Sequence, residues 1–283
     1  MKAAVAQFAT DLDKEANRRV ALRAVKDAAG RGATLVVLPE ASMCGFGTPR
    51  TDLSELAEPL DGPFVAALEA VASETETTVV AGTFEPVAGE HRVYNTLAIV
   101  GPDGLVGRYR KVHLYDALGW CESERVQAGQ TDASNLPVVP LGDLTLGVIT
   151  CYDLRFPESA RRVVDRGATV LAVSAAWVAG DHKIDQWKVL LGARAIENSA
   201  YVVAAAQPTP EYSGCSRIVD PDGVVMAELG PDDGAGSTAI VAGELIGAQV
   251  ERVRRALPVL SNRKFSVAGR ADRASSAPSQ APG

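Results

Sequence analysis

Short apolar runs alternate along the chain with longer stretches in which apolar residues recur at helical spacing, the pattern of an α/β fold. The pattern predicts strands over residues 3–8, 35–39 and 79–84, and a helix over 13–29. In that helix Val20, Ala24, Val25 and Ala28 share a face, and Gly30 reads as the stop. Pro63 opens a second helix, with Phe64, Leu68, Val71 and Ala72 at helical spacing. Further strands are predicted over 144–150, 169–174 and 201–206, and helices over 157–166 and 185–198.

Two tripeptides change this picture. Pro102-Asp103-Gly104 and Pro221-Asp222-Gly223 are turn sequences between β-rich runs, and they predict hairpins over 95–111 and 216–229. Antiparallel hairpins mixed with βα units argue against a purely parallel, doubly wound sheet. From Ala268 the chain reads AGRADRASSAPSQAPG, which is small, polar and Pro-containing. Residues 268–283 are therefore expected to form a disordered tail, and residues 1–267 a single domain.

Composition narrows the function classes. A chain of 283 residues can bury a substantial core. Its net charge of −7, with no basic cluster, argues against a nucleic-acid partner. The apolar run 144–151 is far too short to cross a membrane, and the N-terminus shows no apolar h-region of a secretion signal. Cys44, Cys121, Cys151 and Cys215 form no CxxC pair and suggest neither a zinc site nor a disulfide framework. A reducing, cytoplasmic setting fits that usage. No GxGxxG or P-loop follows a strand, so nucleotide binding has little support.

Three segments place a reactive side chain at or near a strand end, where loops open and functional groups collect. LVVLPE ends in Glu40, GRYRKVHLYD contains Lys111, and LGVITCYDLRFPE contains Cys151. Cys151 stands on a strand-to-helix turn, where a nucleophile is exposed and backbone N–H groups can bind an oxyanion. A small buried hydrophobe closing a strand is the plainer reading of that Cys. Glu40 closes an apolar run; a carboxylate there is costly unless paired, and burial suits it to proton transfer. A strand-end Glu pointing into water is the alternative. Lys111, in a strand with Arg108 and Arg110, also fits a solvated sheet face.

Taken together, in this order, these segments resemble the carbon–nitrogen hydrolase (nitrilase) superfamily. The resemblance runs from about Ala3 to Phe265 and is carried by LVVLPEAS, GRYRKVHLYD and CYDLRFPE, with support from GARAIENSAYVVAAAQ and YSGCSRIVDPDG. CYDLRFPE looks like the branch of omega-amidases and deaminated glutathione amidases. The resemblance implies a four-layer αββα sandwich with mixed sheets and a homodimer or larger homo-oligomer. It also implies a Glu-Lys-Cys triad, which falls on Glu40, Lys111 and Cys151. No metal or organic cofactor is implied. A second glutamate is implied after the Lys; Glu122 matches, with Glu124 as the fallback.

In this reading Lys111 favours the Cys151 thiolate and, with the Tyr152 N–H, holds an oxyanion, while Glu40 moves protons. Arg155 would pair with a substrate carboxylate, or else bond loop carbonyls. Tyr152 and Trp177 would shape the substrate pocket, although Trp177 also fits plain core packing. WVAGDHKIDQW (177–187) and DALGWCES (116–123) depart from close relatives, as do Gln186 and Gly192. These departures put the pocket in doubt and not the chemistry. The expected activity is hydrolysis of a small carboxylate-bearing amide with release of ammonia. A nitrile or an N-carbamoyl amino acid on the same site is the alternative. Outside that chemistry stand a Cys151–His113 protease-like site, in which His113 shares the Lys111 face of a strand, and a catalytically silent binding or scaffold protein.

Overall fold

Period-2 burial along the strands explains the layering. In β1 (Lys2–Gln7), Ala3 and Val5 belong to one apolar cluster and Ala4 and Ala6 to another. The same alternation separates Leu35 and Val37 from Val36 in β2 (Leu35–Val37). These two strands thus bury both faces, one against a second sheet and one against helices, as near-continuous apolar runs require. The computed structural model describes residues 1–267; the expected tail over 268–283 lies outside the described residues.

The chain begins β1, α1 (Lys14–Gly30), β2, α2 (Pro63–Thr75), β3 (Thr78–Pro86), β4 (Val93–Gly101) and β5 (Gly104–Arg110). A two-stranded ribbon follows, β6 (Asp116–Ala117) with β7 (Trp120–Cys121). The second half runs β8 (Val138–Leu141), β9 (Leu144–Thr150), α3 (Pro157–Asp165), β10 (Val170–Ala175), α4 (Lys183–Asn198) and β11 (Tyr201–Ala206). It closes with β12 (Arg217–Val219), β13 (Val225–Glu228), β14 (Ala239–Glu244) and α5 (Gly247–Ala256).

Two six-stranded sheets result, ordered β14-β1-β2-β3-β4-β5 and β13-β12-β11-β10-β9-β8. Parallel pairing at the centre of each (β1-β2-β3 and β9-β10-β11) is flanked by antiparallel strands. The sheets face each other and are pinned across the gap, where the Ser174 hydroxyl donates to the Leu38 carbonyl at 2.7 Å. α1 and α2 cover the first sheet, and α3 and α4 cover the second. This is the αββα sandwich with mixed sheets.

Several boundaries differ from the sequence expectations. α1 includes Gly30; the left-handed residue that ends the turn is Gly32, at φ 84°. α4 starts at Lys183, two residues early, after His182 in the left-handed region (φ 60°). β5 ends at Arg110, so Lys111 lies just past the strand. β8, β14 and α5 are additional; β14 is an edge strand in which Ile240 is the one residue fully inside, so its apolar signal is weak.

Candidate active site

The sandwich brings together the ends of strands from both sheets. Glu40 follows β2, with the chain turning at Ala41 in the left-handed region (φ 58°). β3 passes so close that a Cβ on Gly82 would stand 2.4 Å from the Ala41 nitrogen and 2.8 Å from Glu40 Cα. Only glycine fits that approach. Lys111 follows β5, and Cys151 follows β9 as the first residue of a 3-10 turn over Cys151–Arg155. Cys151 has φ 44°, an unfavourable value for a side chain with a Cβ, held in place by its surroundings.

Four polar side chains interlock beside the sulfur. The Lys111 ammonium donates to Glu40 Oε1 at 2.9 Å and to Glu122 Oε1 and Oε2 at 3.0 and 2.9 Å. Glu40 Oε2 accepts the Ala176 N–H at 2.7 Å, and Glu122 Oε2 accepts the Tyr115 N–H at 2.6 Å. The Asn95 amide nitrogen bridges the carboxylates, donating to Glu40 Oε1 at 2.7 Å and Glu122 Oε1 at 3.1 Å. Lys111, Glu40, Glu122 and Asn95 are all buried. Charges so deep require this pairing. Glu124, the fallback, is exposed and lies outside the ion cluster.

Opposed influences act on the sulfur. Burial, the adjacent Glu40 charge and a hydrogen bond to Glu40 push the Cys151 thiol well above the usual cysteine range, and the pull of Lys111 does not offset them. Lys111 pulls the Cys151 pKa down, and its charge is shared with the two carboxylates. Burial works against the Lys111 ammonium, but Glu122 and Glu40 outweigh it and hold its pKa well above the ordinary lysine value.

The turn carrying Cys151 is anchored from two sides. The buried Asp153 carboxylate accepts from the Tyr109 hydroxyl (2.7 Å), the His113 N–H (3.0 Å) and the Thr150 N–H (3.2 Å). From α4, Arg194 donates to the Leu154 carbonyl at 2.7 and 3.1 Å. His113 does not share the Lys111 environment. Its Nδ1 lies 2.7 Å from Asp153 Oδ1 and its ring stacks on Phe156, so no Cys–His pair is formed.

A cavity of about 240 Å³ opens onto this cluster. Glu40, Lys111, Glu122, Cys151, Tyr152, Arg155 and Trp177 all line it. Cys151 itself is 8% exposed, so it is reached through the cavity and does not stand on the open surface. Tyr152 packs edge-on against Tyr115, and the Arg155 guanidinium lies 4.7 Å from the centre of the Trp177 ring. Arg155 donates to Gln186 Oε1 at 2.7 Å, so the residue that departs from relatives orients it. Asn95 and Lys183 escaped the sequence reading. A polar Asn within the apolar run of β4 is a detectable signal for the first. Nothing local marks Lys183, which reaches the cavity from the first turn of α4.

The family model for carbon–nitrogen hydrolases matches residues 2–252. A deaminated glutathione amidase of Escherichia coli O157:H7 is 36% identical over 267 residues, covering 94% of this chain and 98% of that protein. A 2-oxoglutaramate amidase of Bacillus subtilis is 34% identical, covering 81% of this chain and 85% of that protein. Among solved structures, Saccharomyces cerevisiae Nit3, a member of branch 10 of the nitrilase superfamily, superposes with a TM-score of 0.80. That match is 29% identical and covers 94% of this chain and 97% of Nit3.

Proposed function

Because this chain belongs to the carbon–nitrogen hydrolase family, we propose that it is an amidase that releases ammonia from a small carboxylate-bearing amide through a thioester on Cys151. The observation that carries the reading is the buried Glu40–Lys111–Glu122 ion cluster lining one cavity with Cys151.

Glu40 takes the thiol proton as the Cys151 sulfur attacks the amide carbon. The raised thiol pKa makes that general base necessary. The carbonyl oxygen becomes an oxyanion, held by Lys111 and by the Tyr152 N–H, which lies in the first turn of a 3-10 helix where N–H groups have no helical partner. Glu40 returns the proton to the leaving nitrogen, the C–N bond breaks, and ammonia departs from the thioester. Water then gives a proton to Glu40 and its oxygen attacks the same carbon. Collapse breaks the C–S bond, releases the carboxylic acid and restores the thiol. Glu122 fixes Lys111, and Arg155 pairs with the substrate carboxylate. Tyr152 and Trp177 wall the cavity.

The same proposal takes residues 1–267 as one hydrolase domain acting in a reducing compartment, which the four free cysteines support. It also takes the active form as a homodimer or larger. Exposed Val189 and Ile196 on α4, beside exposed Val224, Val225 and Met226, supply an apolar surface for self-association. Among the described residues no helix is long and apolar enough to cross a membrane.

The test is ammonia release from a panel of amides, nitriles and N-carbamoyl amino acids, with mass spectrometry to trap the acyl adduct. Amide turnover with an adduct on Cys151, absent in Cys151→Ala, is the expected result. Turnover of nitriles or carbamoyl compounds alone, or no adduct, would overturn it.

A further inference from the structure

Beyond Lys111 and Arg155, the cavity is lined by Lys183, a cation that the proposed reaction does not use. Lys183 is 6% exposed, yet among the described residues its ammonium has no carboxylate partner. Its one side-chain hydrogen bond goes to the neutral Tyr115 hydroxyl at 3.2 Å. It otherwise sits 5.1 Å from the Tyr115 ring centre and 5.2 Å from that of Trp177. Arg155 lies against the same indole and is bonded to the neutral amide of Gln186. Two cations therefore flank one ring, and among the described residues neither is in an ion pair with a carboxylate.

That arrangement is unfavourable without a ligand. A buried ammonium is costly unless paired, and aromatic faces compensate only in part. Lys183 is also the first residue of α4, at the end of a helix where the backbone dipole already repels a cation. Burial and the repulsion of Arg155 both lower its pKa. Contrast Lys111, deeper still, which two carboxylates neutralise.

We propose that Lys183 and Arg155 together form the anion subsite, gripping a single substrate carboxylate between them, so that Lys183 sets the preference for acid amides over neutral ones. Arg155 supplies a planar fork and Lys183 a point charge. A carboxylate with four lone-pair sites can accept from both. The inference rests on the amidase reading but adds a residue that the Glu-Lys-Cys chemistry does not require.

The test compares succinamate with butyramide, which replaces the distal carboxylate by a methyl group, in wild type, Lys183→Gln and Lys183→Arg. The ratio of kcat/KM for succinamate to that for butyramide is expected to fall by about 10- to 100-fold in Lys183→Gln, the size of one charge-assisted bond. Most of the ratio should return in Lys183→Arg. The unliganded melting temperature of Lys183→Gln should equal or exceed that of wild type, because a repelled charge has gone. An unchanged ratio overturns the inference and leaves the amidase intact. So does a lower melting temperature with equal loss on both amides, which marks a structural lysine. If wild type hydrolyses neither amide, the amidase reading fails for these substrates. Calorimetric titration with succinate then decides the subsite: tenfold weaker binding in Lys183→Gln supports it, and equal binding overturns it.

Discussion

The Tyr109 hydroxyl donates to the Asp153 carboxylate at 2.7 Å in the fully buried interior, tying the strand that leads to Lys111 to the turn that carries Cys151. Tyr109 stands two residues before Lys111, and Asp153 two residues after Cys151. One hydrogen bond thus spans the two sheets at the height of the reacting groups. Tyr109→Phe should lower stability by about 1.5–3 kcal/mol, the value of a bond to a charged acceptor. Urea denaturation measures this. The same variant should lower kcat more than it raises KM, because the bond aligns the sulfur and does not touch substrate.

Glu40 acts on the thiol in two opposed ways, and one substitution separates them. Its charge helps hold the Cys151 pKa up, and its carboxylate is the proposed proton acceptor. In Glu40→Gln the buried sulfur keeps its Lys111 neighbour and loses the negative one, so its titration, followed by thiolate absorbance, should move to lower pH. Amide turnover should fall by about 10²–10⁴-fold at neutral pH, the usual contribution of a positioned base. A titration that stays put or moves to higher pH would contradict the stated cause.

Glu122 keeps Lys111 charged despite its burial. Removing that carboxylate in Glu122→Gln lowers the Lys111 pKa from its raised position. The ammonium is present below its pKa and absent above it. The alkaline fall of kcat/KM should therefore begin at lower pH in Glu122→Gln than in wild type. A pH–rate profile on one amide tests the direction.

Gly82→Ala places a methyl group against the backbone of Glu40 and Ala41, with no flexible side chain to yield. Shifting Glu40 by about 1 Å should cost on the order of 10²-fold in kcat. A melting-temperature measurement separates that loss from unfolding, and turnover near wild type would show that the approach is looser than the geometry states.

Much of this was legible in the sequence, for identifiable reasons. Strands buried on both faces read as apolar runs, so β9 and β11 match their predicted limits, residues 144–150 and 201–206. Glu40, Lys111 and Cys151 were readable from motif order, and the structure brings them to one cavity. Edge strand β14 was not readable, because one half-solvated face dilutes its signal. The upward push on the Cys151 thiol was not readable either: it depends on burial and on the closeness of Glu40, which is a matter of distances. Lys183 was hidden for the same reason, since Arg155 and Tyr115 come to it from two other segments.

The sheets pinned by Ser174 and Leu38 divide the proposed reacting groups between them: Glu40 and Lys111 extend from one, Cys151 from the other. Neither half of the chain alone can assemble a nucleophile with its base. The N-terminal portion carries the proposed acid and amine with Cys44 and Cys121, but not Cys151, so a polypeptide truncated before β9 is expected to be inert toward amides. Activity toward amides is expected only once both sheets are docked, and fragments that recombine should regain fold and activity together.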